Sequence, residues 1–123
     1  MSKNNCACTT APTLLFACSG GADVGALADK AGRKATTRGH AKMFCLAGVG
    51  GRVEPILKAC EAASRLVAVD GCPMDCAKKS LEAAGLPVAV HLRLTDMGME
   101  KGKCAMTDNE VDTIVRNIAD ALT

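Results

Sequence analysis

Apolar residues along this chain follow two alternating rhythms. Short continuous runs read as buried strands, and longer stretches with apolar positions three and four apart read as helices with one buried face. Leu14 to Ala17 is the first run, and it feeds a loop at Cys18-Ser19-Gly20-Gly21. Val24, Leu27, Ala28, Ala31 and Ala35 then make one helical stripe, with Asp23 in its first turn. Thr36 to His40 is polar and reads as a connection. Lys42 to Ala47 is expected as a second strand containing Cys45, and Gly48-Val49-Gly50-Gly51 as a flexible loop. A helix begins near Arg52, with Val53, Ile56, Leu57 and Cys60 on its buried side.

Arg65 to Val69 is the third strand. The segment Asp70-Gly71-Cys72-Pro73-Met74-Asp75-Cys76 follows it and predicts a helix start, with Pro73 at the first helical position, where its missing N–H costs nothing. That helix runs to about Ala84, with Gly85 past its end and Pro87 as a stop. Val88 to Leu94 alternates as an edge strand, with Ala89, His91 and Arg93 on its wetter face. Thr95 to Lys103 is a polar surface excursion. Thr107-Asp108-Asn109-Glu110 carries the capping-box pattern, and Val111, Ile114, Val115, Ile118 and Leu122 make the last stripe.

Strands alternating with helices predict an α/β fold: a single-domain three-layer sandwich with helices on both faces of a four-stranded, mostly parallel sheet. The expected strand order is 2-1-3-4, over residues 14–123, after a flexible N-terminal arm over 1–13 that holds Cys6 and Cys8. In such a sheet, ligands bind at the carboxyl ends of the strands where the chain changes direction across the sheet. Cys18 follows the first strand and Cys72 the third, so both belong to that crevice, with Cys45 entering from the second.

Composition narrows the function. The chain has 123 residues, 49% of them hydrophobic but only 2% aromatic, so the core is built from small and aliphatic side chains. A net charge of +2 with no basic block, and no aromatic stacking platform, argues against nucleic acid. No run approaches a membrane span of about 18 apolar residues. Leu15-Phe16-Ala17-Cys18 loosely mimics a lipoprotein cleavage site, but Pro12 and Thr9-Thr10 interrupt what precedes it. A cytoplasmic location follows, and there the eight cysteines point to metal binding or redox work rather than to disulfides.

Cys18, Cys45, Cys72 and Cys76 form the favoured metal-ligating set. Four converging thiolates suit tetrahedral zinc, or alternatively an iron–sulfur cluster or another thiophilic metal such as Cu(I). Residues 72 and 76 are one helical turn apart, and a helix N-terminus favours thiolate, which also keeps open a thiol–disulfide exchange reading. Cys60 belongs to the core, and Cys104 is expected exposed and free. Asp70 reads as a helix cap, with a supporting role beside a metal as the alternative. His40 and His91 read as solvated, and Met97 and Met99 as ordinary loop methionines rather than Cu(I) ligands. The glycines at 48–51 lack the spacing of a dinucleotide or P-loop motif. Ser19 has no histidine partner pattern for nucleophilic hydrolysis. Oligomeric state and protein partners have no signature in the sequence.

Four pieces carry a resemblance: Phe16-Ala17-Cys18-Ser19-Gly20, Ala22-Asp23-Val24-Gly25, Met43-Phe44-Cys45-Leu46-Ala47-Gly48-Val49-Gly50-Gly51, and Asp70-Gly71-Cys72-Pro73-Met74-Asp75-Cys76-Ala77. Together they resemble the DGC domain family of small zinc-binding proteins, from about Leu14 onward. The resemblance implies four chelating cysteines, which fall on Cys18, Cys45, Cys72 and Cys76. Gly21 stands where some relatives carry a further cysteine, and Cys6-Ala7-Cys8 lies outside the match.

Overall fold

The computed structural model describes residues 11–123, and the expectations for Cys6, Cys8 and the rest of residues 1–10 lie outside them. Strand β1 spans Thr13–Ala17, beginning one residue inside the segment assigned to the arm. It is followed by α1 (Asp23–Thr37), β2 (Lys42–Met43), α2 (Leu46–Gly50), α3 (Glu54–Ala62), β3 (Arg65–Asp70), α4 (Cys76–Ala83), β4 (Val90–Arg93), a short 3-10 turn (Leu94–Met97) and α5 (Asp108–Leu122). The sheet order is β2-β1-β3-β4, and every pairing is parallel. Leu15 pairs with Val67 and Ala17 with Val69, while Ala68 lies beside His91 and Asp70 beside Arg93.

The period of two along the strands divides the core. Leu15, Ala17, Val67 and Val69 pack under α1 and α5, together with Leu27, Ala31, Ile114 and Ile118. Leu14, Phe16, Leu66 and Ala68 face the other way, onto Val49, Cys60, Ala77 and Leu81 from α2, α3 and α4. Inner strands buried on both faces are why β1 and β3 read as continuous apolar runs. The capping box of α5 closes as expected: Glu110 N–H donates to Thr107 Oγ1 at 3.2 Å, and Thr107 N–H to Glu110 Oε1 at 3.3 Å. Among the described residues no helix is long and apolar enough to cross a membrane.

Two elements depart from the sequence reading. The second strand is only two residues long, and the glycine segment beyond it is helix α2, with Cys45 as its N-cap residue. Glycine is a poor helix former, but here packing decides. Val49 is fully buried, and a Cβ on Gly48 would stand 2.8 Å from Ile56 Cγ1, so only a bare backbone lets α2 and α3 close.

Helix α4 starts at Cys76, later than expected, and Pro73 is not its first residue. Asp75 N–H donates to the Cys72 carbonyl at 3.2 Å, closing a four-residue turn with Pro73 second in it. Proline's fixed φ suits that turn position as well as it suits a helix start. Cys72 and Cys76 are thus on a turn and a helix, not on one helical face. Smaller differences follow the same logic. In α3 only Cys60 is buried, and Val53 is 46% exposed.

Candidate functional site

The carboxyl ends of β1 and β3 are adjacent, while β2 and β4 lie outside them. The chain therefore leaves the two inner strands in opposite directions across the sheet and opens a crevice between them. Cys18 extends the ladder, its N–H donating to the Val69 carbonyl at 3.1 Å. Its Sγ accepts the Gly71 N–H at 3.3 Å. A Cβ on Gly71 would lie 2.7 Å from the Val24 backbone carbon, and one on Gly25 2.7 Å from the Gly20 nitrogen. Those two glycines let the loop after β1, the start of α1 and the loop after β3 meet backbone to backbone.

Cys18, Cys72 and Cys76 line the resulting cavity of about 180 Å³, with the exposed Met74 at its lip. Cys45 lies apart. It lines an adjoining cavity of about 510 Å³, which Cys18 also borders. Among the described residues no three cysteine sulfurs lie within 4.8 Å of one another; the one trio of potential ligands that does is Asp70, Asp75 and His91.

That trio is a structural clamp. Asp70 is only 1% exposed, and a buried carboxylate demands partners. Its Oδ1 accepts the Ala77 N–H at 2.7 Å and its Oδ2 the Lys78 N–H at 3.2 Å, so it caps α4 from the end of β3. His91 Nε2 completes the set, 2.9 Å from Asp70 Oδ2. Arg93 donates to both Asp75 oxygens at 2.7 Å, a bidentate pair. This hydrogen bonding holds the Asp75 carboxyl below the usual carboxylate range and pushes the Arg93 pKa up. Asp75 is left-handed at φ 56°, a conformation uncommon outside glycine, and the guanidinium fixes it there. With these oxygens engaged by amides and a guanidinium, the clamp orients the Cys72–Cys76 segment. His91, expected to be solvated, is instead a member of it.

Around the crevice, Asp23 accepts from three backbone amides: Val24 at 2.8 Å, Gly102 at 2.9 Å and Cys104 at 3.0 Å. The Gly102 and Cys104 bonds, foremost, keep its carboxyl below the ordinary range. Lys101, next to one of those amides, reaches Cys72 Sγ at 3.9 Å. Cys104 is a free thiol as expected, but it is half-buried against the core rather than exposed, and its thiol donates to the Glu100 carbonyl at 3.3 Å. Desolvation and then the Asp23 charge push its pKa up. Cys60 is buried as expected, and burial raises its pKa too. Met97 and Met99 pack into the core, which accounts for both. Ser19 donates to Asp29 at 2.9 Å, and Asp29 is engaged by Arg33 at 2.7 Å.

The family model of the DGC domain matches residues 14–118. The chain belongs to the DGC domain family. A relative, the anaerobic and virulence modulator AnvM of Pseudomonas aeruginosa, is 34% identical over 88 residues, covering 72% of this chain and 67% of AnvM. No solved structure matches the chain. In this member of the DGC family each residue of the Asp-Gly-Cys tripeptide has a separate task. Asp70 caps the helix that follows, Gly71 admits α1 and bonds Cys18, and Cys72 opens into the cavity.

Proposed function

We propose that this protein is a non-catalytic metal-binding protein that holds one zinc ion through Cys18, Cys45, Cys72 and Cys76. The observation that carries the reading is that three of these thiols line one cavity and Cys18 borders the neighbouring one with Cys45. The donor set fits the ion: zinc takes thiolate sulfur in tetrahedral sites, and the N–H donated by Gly71 to Cys18 is the kind of bond that supports an anionic sulfur. Bound there, zinc would act as a structural cross-link between the loops after β1, β2 and β3. Four thiolates leave no open position for substrate, which argues against zinc-dependent hydrolysis. A reducing compartment such as the cytoplasm suits a site of free thiols, and the reading takes a metal ion as the partner, with neither nucleic acid nor membrane.

Elemental analysis of protein purified anaerobically without a histidine tag tests this. The expected result is a colourless protein with about one equivalent of zinc, lost in Cys18→Ser. A brown protein would assign the cysteines to an iron–sulfur cluster instead. Metal-free protein that forms a Cys72–Cys76 disulfide on oxidation would favour thiol exchange instead.

A further inference from the structure

The loop between the 3-10 turn and α5 has no part in the ligand set, yet it is held with more care than a solvent excursion requires. Gly98, Gly102 and Met106 all take positive φ, at 86°, 88° and 60°. Met99 is buried, and Met97, Cys104 and Met106 pack against the α1/α5 side of the core. The tip of the loop is exposed, but it is bolted down by Asp23, which takes the amides of Gly102 and Cys104 on separate oxygens. Asp23 opens α1 directly after the loop that carries Cys18, so the bolt fixes this strap to one wall of the cysteine cavity. Lys101 stands beside the bolted Gly102 and lines that cavity, with its Nζ 3.9 Å from Cys72 Sγ.

We infer that Lys101 is the charge partner of the cysteine site, and that Asp23 is the positioning residue that keeps it there. This rests on the zinc reading above. Zinc with four thiolates carries a net charge of about −2, which a hydrated surface cavity tolerates better beside an ammonium. Lys103, one residue past Gly102, pairs instead with Glu100 at 3.2 Å and serves as the control. A unit charge pair at about 4 Å in well-hydrated surroundings is equivalent to about a fivefold change in affinity.

The test is zinc affinity by competition with a chromophoric chelator, on the full chain, for wild type, K101M, K101R, K103M, D23N and the double variant D23N/K101M. Lys101→Met weakens zinc by about fivefold. Lys101→Arg restores most of the loss, and Lys103→Met leaves affinity unchanged. Asp23→Asn weakens zinc as Lys101→Met does, and the double variant falls no further, because Asp23 acts through Lys101. Thermal melts of metal-free K101M match wild type, since the side chain is exposed, which separates charge compensation from a folding defect. The inference is overturned if K101M stays within about twofold of wild type, or if K103M falls as far. Wild type that takes up no zinc in the same titration would overturn the zinc reading itself, and every variant would then share that blank.

Discussion

The segment from Asp70 to Cys76 has two sides built on opposite terms. Beneath it, Asp70, Asp75, His91 and Arg93 make a polar clamp in which every carboxylate oxygen has a partner and Asp70 is sealed from water. Above it, Cys72 and Cys76 face an open cavity, and Cys76 is exposed. The clamp spends its bonding capacity on the protein, and the cavity keeps its sulfurs for something else. Rigid support under uncommitted donors is what a binding site needs, because donors held in place lose less freedom when they bind.

Removing clamp residues should therefore cost folding, and removing sulfurs should not. The largest effect is expected from Asp70→Ala, which strands the Ala77 and Lys78 amides and the His91 ring at a buried position. Denaturant unfolding should show a loss of about 3 kcal/mol. A loss no larger than a surface substitution would break the contrast.

Arg93→Met comes next, smaller because the guanidinium is one-third exposed. Its effect should depend on pH. The Asp75 carboxyl is depressed in the folded state by Arg93, so the pair's stabilisation is fully present above the unfolded aspartate pKa of about 3.9 and fades as pH falls through the lower folded value. Thermal melts of wild type and R93M should differ near neutral pH and converge in acid. A gap that stays constant into acid would remove the Asp75 pairing as the cause.

The smallest change in folding is expected at the sulfurs. Cys76→Ser should leave the stability of the metal-free protein within about 0.5 kcal/mol of wild type while cutting zinc retention. A large loss of metal-free stability in C76S would mean that the cavity side is part of the fold after all.

Local pattern made much of this molecule legible. The alternating rhythm led to the parallel sheet and its strand order, Thr107 and Glu110 announced their capping box, and Cys60 announced its burial. Reading failed where a residue's meaning depends on a distant partner. Helix α2 exists because Val49 is buried and Gly48 meets Ile56, neither of which appears in a window of local propensity. Pro73 has the same φ in a turn as at a helix start, so the sequence around it reads equally well both ways. His91 looked solvated because alternation assigns a face of the sheet but not the neighbour beyond the register. Only the pairing of β3 with β4, with Ala68 beside His91, brings the ring to the Asp70 carboxylate. The Lys101 contact is non-local in the same way, joining residues 29 positions apart.

Cys18 borders both cavities at the strand ends. A guest that engages this thiol in one compartment withdraws it from the other, and in that case the two become thermodynamically dependent. A guest in the larger cavity that touches Cys18 would alter the binding free energy of whatever the smaller one holds, and the smaller guest must return that influence in equal measure.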